Sequence, residues 1–194
     1  MNNQKLIKAA EKFGSPLYVY DSNKIKRQFN KLKNSFKSVD NLQINYAVKA
    51  LSNISILKFI INLGSGIDAV SIQEVNLAMK CGIKPEKIIY TPNGVSMDEI
   101  QIASQLWVKI NIDNLSVLEE FGNNNPSVPI CIRINPHIMA GGNSKISVGH
   151  IDSKFGISIH QIPHLLRIVN NTKIKVNGIP VSYTHLRAHE TPRH

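Results

Sequence analysis

The chain has 194 residues, a formal net charge of +10 and 42% apolar residues, which is enough for a buried core and contains no apolar run that spans a bilayer. Its lysines are scattered among Asn and Ile, with no zinc-finger spacing, RNP motif or arginine-rich arm, so nucleic acid and membrane are disfavoured as partners and phosphate-bearing small ligands fit the charge. Cys81 and Cys131 stand apart from any Cys-x-x-Cys or His-rich pattern, which argues against a disulfide framework or a metal site and leaves both as small core residues; the polar first eight residues lack the apolar segment of a signal peptide, so a cytoplasmic location is expected.

Lys5 to Phe13 reads as a short helix stopped by Gly14, and Pro16 to Asp21 as a strand. Asp21 or Ser22 is placed to cap a helix carrying Ile25, Phe29, Leu32 and Phe36. Leu42 to Ala50 is predicted as a strand ending near Lys49, and Asn53 to Asn62 as an amphipathic helix with Gly64 or Gly66 at its end. Ile67 to Val70 is a short strand leading into Ser71-Ile72-Gln73-Glu74, a capping box for a helix to about Cys81. Gly64-Ser65-Gly66-Ile67-Asp68-Ala69 looks like a dinucleotide fingerprint, but a helix precedes it and a strand follows, the reverse of what that motif requires.

Lys87 to Tyr90, Val108 to Ile112, Val128 to Ile134 and Lys175 to Ile179 are further strands. Between them lie a helix opened by the capping box Ser96-Met97-Asp98-Glu99, a helix from Asn114 to Phe121, and one near Ile162 to Asn170 after a Gly- and Ser-containing excursion from Asn135 to Phe155. Val128 to Ile134 is almost continuously apolar, as a strand buried on both faces would be. This alternation predicts an α/β architecture with a parallel sheet, and leaves a closed barrel and an open doubly wound sheet equally available. In either, chemistry gathers at the C-terminal strand ends, where Lys49, the Asp68 to Ser71 corner and the stretch after Arg133 fall.

Lys49 ends the run Ile44-Asn45-Tyr46-Ala47-Val48. An amine held in an apolar wall is desolvated, which lowers its pKa and frees the nucleophilic form for attachment to a carbonyl. On its own the stretch is more simply read as a strand-end lysine snorkelling to water, the commoner situation for lysine.

Pro16 to Asp21, Tyr46-Ala47-Val48-Lys49-Ala50, Asp68-Ala69-Val70-Ser71 with Glu74, and Arg133-Ile134-Asn135-Pro136 followed by Ser153-Lys154-Phe155-Gly156 occur in order across the chain to about Ile179. With these segments the chain resembles the N-terminal part of the diaminopimelate decarboxylase family, pyridoxal-phosphate enzymes of the alanine-racemase-like (fold type III) barrel. The resemblance implies an incomplete (β/α)8 TIM barrel of about six strand-helix units without its C-terminal β-domain. Residues 25–179 would be the partial cofactor-binding barrel, and residues 1–24 a segment whose strand belongs to the β-domain. It implies pyridoxal 5'-phosphate as cofactor and Lys49 as the catalytic lysine that attaches to it, with Asp68, Glu74 and Arg133 lining or bracing the cofactor pocket. It further implies decarboxylation of meso-diaminopimelate to lysine, and a homodimer with shared active sites. Alternatives within the resemblance are a decarboxylase or racemase of the same fold acting on ornithine, arginine or alanine, and a non-catalytic pyridoxal-phosphate-binding barrel.

Each position also has a plainer reading. Glu74 serves its capping box, Asp68 caps a turn, and Arg133 pairs with a carboxylate inside the barrel. His137, His150, His160 and His164 read as solvated residues without the acidic neighbours of a metal site. In Ser147-Val148-Gly149 the residue before the glycine is Val, where the family pattern has Thr. After Ile179 the chain departs from the family: residues 180–194 crowd His and Arg where a His-containing strand ending Gly-Ser is expected, and read as a foreign tail. On this reading the isolated polypeptide is expected to be inactive.

Overall fold

The computed structural model describes residues 3–137 and 155–180. The chain begins with helices α1 (Asn3–Phe13) and α2 (Ser22–Ser35). Units of strand and helix follow: β1 (Asn45–Ala47), α3 (Ile54–Asn62), β2 (Gly66–Ala69), α4 (Ile72–Lys80), β3 (Ile88–Tyr90), α5 (Met97–Gln105), β4 (Lys109–Ile112) and α6 (Leu115–Asn124). Next come β5 (Ile130–Ile132), the two-residue strands β6 (Ile134–Asn135) and β7 (Ile157–Ser158), α7 (Ile162–Thr172) and β8 (Val176–Gly178).

The helix starts follow from their caps. Asp21, Asn53, Ser71, Ser96 and Asn114 each stand in extended backbone and accept from amide N–H groups of the first turn. Gly64, at φ +97°, takes the left-handed turn that releases the chain from α3. Gly66 lies inside β2 instead, and a Cβ there would collide with Asn45 Oδ1 and Gln43 Nε2.

The six-stranded sheet has the order β1-β2-β3-β4-β5-β8, and every pairing is parallel. Each new strand is laid on the same side of the one before, whereas a doubly wound sheet reverses direction at a switch point. That resolves the ambiguity of the alternating pattern in favour of a singly wound, barrel-type sheet. β6 and β7 form a separate two-stranded ladder above β5, pairing Ile134 with Ile157 and Asn135 with Ser158.

Register sorts the sheet into two faces, because paired residues of parallel strands point the same way. One face carries Ile67, Ala69, Ile88, Tyr90, Ile110, Ile112, Ile130 and Ile132, all buried. The helices cover this face with Leu57, Val75, Ala103, Leu118, Phe121 and Ile168. The buried Tyr90 hydroxyl donates to Glu99 Oε2 of α5 at 3.3 Å. Burial and that carboxylate hold the phenol well above its ordinary range. The opposite, barrel-side face carries Ala47, Asp68, Ile89, Lys109, Asn111, Cys131 and Gly178 in register, with Thr91 and Arg133 two residues beyond Ile89 and Cys131.

Several sequence expectations need correction. Pro16 to Asp21 forms no ladder among the described residues, and Tyr18 there is 90% exposed; a strand needs a partner edge, and none is offered to it. The strand expected from Leu42 to Ala50 shrinks to β1, because Val48–Ala50 closes into a 3₁₀ turn. Val128 to Ile134 is not buried on both faces: Cys131 and Arg133 are only partly buried on the barrel side, and the stretch divides into β5 and β6. Cys131 is therefore a barrel-side residue facing Gly178, while Cys81 is the expected core residue. Ser147 to Gly149, His150, Ser153, Lys154 and the tail after Pro180 lie outside the described residues.

Candidate functional site

The carboxyl ends of β1 to β5 bring together most of the residues that the sequence singled out. Lys49 is the middle residue of the 3₁₀ turn that follows β1. Its neighbour Val48 is 1% exposed and plugs the turn into the core, while Lys49 is exposed. The expected desolvated amine is thus absent here: the apolar wall ends one residue earlier, and the 3₁₀ turn swings the next side chain outward. The turn is braced by Leu51 N–H donating to Val48 O at 2.8 Å, and by the Tyr46 hydroxyl donating to Leu51 O at 3.3 Å.

Asp68 lies on β2 with its side chain on the barrel side, where Ala47 is its register partner on β1. Its Oδ1 accepts from Thr91 Oγ1 at 2.8 Å. Thr91 Oγ1 in turn accepts from Asn111 Nδ2 at 2.9 Å, so three adjacent strands are joined by one line of side chains. Burial pushes the Asp68 carboxyl above its ordinary value; the Thr91 hydrogen bond and the positive charges of Lys49 and Arg133 pull it back. That field joins Lys49 and Arg133 to Asp68. The turn-capping reading of Asp68 is displaced, since the cap of α4 is Ser71, whose Oγ accepts from Glu74 N–H at 3.2 Å.

Arg133 follows β5, its guanidinium 5.0 Å from the centre of the Phe155 ring. Its backbone joins two ladders, with N–H donating to Ile112 O and its carbonyl accepting from Ile157 N–H, each at 2.8 Å. The backbone is therefore held from both sides, and the head group lies over an aromatic face that favours a cation. Glu74 is engaged locally: Val70 N–H donates to its Oε2 at 2.8 Å, which fastens the β2–α4 corner. Its carboxylate thus serves the turn just below the site, and its place in a pocket rests on the resemblance alone.

His160 and His164 are exposed, as expected. His137 is not simply solvated: it is half-buried at φ +55°, its ring lies 5.2 Å from that of His160, and its Nδ1 is buried without a hydrogen-bond partner among the described residues. Among the described residues no three His, Cys, Asp or Glu side chains gather as a metal site would need, and no helix is long and apolar enough to cross a membrane.

Sequence reasoning missed Thr91 and Asn111. Asn111 had a signal, being the polar residue in the otherwise apolar stretch Ile110 to Ile112. Thr91 had none, since it follows a strand and resembles any loop threonine.

Residues 22–183 match the family described as pyridoxal-dependent decarboxylase, pyridoxal binding domain. The chain belongs to this family. Its cofactor is pyridoxal 5'-phosphate, and its fold is part of the (β/α) barrel on which pyridoxal-dependent decarboxylases bind it. The chain is 34% identical over 175 residues to diaminopimelate decarboxylase of Methanothermobacter thermautotrophicus, covering 89% of this chain and 41% of the relative. It is 42% identical over 150 residues to that of Helicobacter pylori, covering 75% of this chain and 37% of the relative. A crystal structure of diaminopimelate decarboxylase superposes with a TM-score of 0.80 at 27% identity, over 92% of this chain and 42% of that one. The Helicobacter pylori enzyme complexed with L-lysine superposes with a TM-score of 0.77 at 33% identity, over 93% and 46%. The chain spans about two-fifths of the length of these decarboxylases.

The donor set is chemically compatible with the cofactor: an amine, a carboxylate and a guanidinium stand at the carboxyl ends of β1, β2 and β5, and an aldehyde, a ring nitrogen and an anionic group are what such side chains bind.

Proposed function

We propose that the protein contributes the cofactor-attaching half of a decarboxylase acting on meso-diaminopimelate, with Lys49 as the attachment lysine and Asp68, Glu74 and Arg133 around the cofactor. The observation that carries this reading is the placement of Lys49, Asp68 and Arg133 at the carboxyl ends of β1, β2 and β5 of one parallel sheet. Supporting the substrate assignment are the diaminopimelate decarboxylases among its relatives, one of them solved with L-lysine, the product expected of the reaction.

In the reaction the substrate's α-carboxylate leaves as carbon dioxide and a proton takes its place on the α-carbon, giving lysine. The cofactor, when bound, supplies the electron sink for the pair left behind on that carbon. Lys49 would hold the cofactor through its Nζ, and as a free amine at the barrel mouth it could carry a proton. Exposure at the barrel mouth gives that amine access to an incoming aldehyde. Asp68 supplies a fixed negative charge beside cationic nitrogen. Arg133, held by Phe155 and by its backbone, offers a cation to phosphate or to a substrate carboxylate. Glu74 keeps the β2–α4 corner in place beneath Asp68.

We assign residues 25–179 to the cofactor-binding barrel and residues 1–24 to a segment that completes a β-domain, which accords with an extended Pro16 to Asp21 stretch that has no ladder among the described residues. A homodimer with shared active sites belongs to the same reading.

The test is to treat the full-length protein with pyridoxal phosphate and borohydride, map the label by mass spectrometry, and measure carbon dioxide release from meso-diaminopimelate, ornithine and arginine. Label on Lys49, its loss in Lys49→Ala, and release from meso-diaminopimelate are expected. A label retained by Lys49→Ala would overturn the attachment assignment, and release from ornithine or arginine alone would overturn the substrate.

A further inference from the structure

The order of donors along the barrel side gives a role to two residues that carry no charge. Asn111 Nδ2 donates to Thr91 Oγ1 at 2.9 Å, and Thr91 Oγ1 donates to Asp68 Oδ1 at 2.8 Å. An amide nitrogen can only donate, and a hydroxyl has a single proton. Asn111 therefore occupies an acceptor position of Thr91 and leaves its proton for Asp68, so the line runs one way, from β4 through β3 to a carboxylate on β2. Asn111 is 8% exposed and its backbone is locked between β3 and β5, which makes it a rigid origin for the line. Thr91 is fixed as well, its N–H donating to Ala69 O at 2.8 Å. The groups facing Asp68 are then Lys49 from the turn after β1 and Arg133 from directly after β5, both cationic, with Thr91 directly after β3 and Asn111 behind it on β4, both neutral.

We propose that Thr91 and Asn111 are positioning residues that act in series, fixing the rotamer of the Asp68 carboxylate and holding it as an acceptor toward the Lys49 cation. This rests on the assignment of Lys49 and Asp68 to the cofactor site. Removing the Thr91 hydroxyl leaves the partly buried carboxylate without its side-chain donor, while removing the Asn111 amide frees the hydroxyl to turn away. The second change acts only through the first.

The experiment is a titration of the Asp68 carboxyl by carbon-13 NMR in the full-length protein, assigned with Asp68→Asn and run beside the pyridoxal phosphate and borohydride labelling described above. Thr91→Val is expected to raise the Asp68 midpoint by about one pH unit, and Thr91→Ser to restore it. Asn111→Leu is expected to raise it by less, and to add nothing when combined with Thr91→Val. An unchanged midpoint in Thr91→Val, or additive shifts in the double variant, overturns the series. Should Thr91→Val lose its native circular dichroism, Asn111→Leu alone decides, an unchanged midpoint again overturning it. The two failures are separable: a label that persists in Lys49→Ala removes the site assignment, whereas a label confined to Lys49 with an unmoved Asp68 midpoint removes only the series.

Discussion

The two faces of the sheet are made by the same strands yet obey different rules. On the helix side nearly every strand position is an Ile, Ala or Tyr, buried to within a few per cent, and the buried Tyr90 hydroxyl there is satisfied by Glu99. On the barrel side, one residue along, the same strands carry Asp68, Lys109, Asn111 and Arg133, with partial burial at Asp68 and Arg133 and an exposed Lys109. The contrast teaches that stability and chemistry are separated here by a half-turn of the pleat: burial of apolar area holds the strands, and leaves the other face free to carry groups that cost stability.

Breaking the helix side should give the largest effect on folding. Phe121→Ala removes a fully buried ring between α6 and the sheet, and is expected to cost about 3–5 kcal/mol, read as a lower urea midpoint in the full-length protein; a loss below about 1 kcal/mol would mean that this layer does not carry the fold. Next is the corner that joins the two faces. Ser71→Ala removes the acceptor of the Glu74 N–H and is expected to cost about 1 kcal/mol, while Glu74→Gln, which keeps an acceptor for Val70 N–H, should change stability less than Ser71→Ala does. If Glu74→Gln instead abolishes cofactor retention without altering stability, its carboxylate charge acts on the cofactor directly.

The barrel side should respond with the opposite sign. Because burial raises Asp68, the folded state takes up its proton at higher pH than the unfolded chain. The stability that this group allows is fully present below its ordinary value of 3.8 and is lost as pH rises through its folded-state value. Asp68→Asn is therefore expected to match the parent below 3.8 and to exceed it in stability at neutral pH, while losing cofactor attachment; urea midpoints at both pH values check it, and a variant weaker than the parent at neutral pH would reverse the assignment of Asp68 to the costly face. The smallest effect lies outside both faces. Trp107 ends α5 at φ +59° and is 84% exposed, so Trp107→Gly should stabilise by about 0.5–1 kcal/mol, again by denaturant midpoint.

Much of the helix side was legible because its signals are local. Asn53, Ser71, Ser96 and Asn114 marked helix starts within a residue, since a cap is a bond between near neighbours in sequence. The barrel side was legible only where a residue was chemically conspicuous, as Lys49, Asp68 and Arg133 were. The exposure of Lys49 was the plainer reading of its stretch, but the 3₁₀ turn that produces it was not legible, because a run of strand-forming residues conceals it. Thr91 gained its meaning from Asp68, 23 positions away, and Asn111 from Thr91, 20 away; no window along the chain contains such pairs. Barrel over open sheet was likewise decided by strand order, which alternation does not encode.

β8 pairs directly with β5 although β6 and β7 intervene in sequence, and β6 and β7 clasp each other instead. The six-stranded wall thus passes straight from β5 to β8, and the β6–β7 ladder stands outside it. A substitution in Ile134–Asn135 or Ile157–Ser158 therefore falls outside the register of the main wall, which keeps its alignment whatever those two short strands carry.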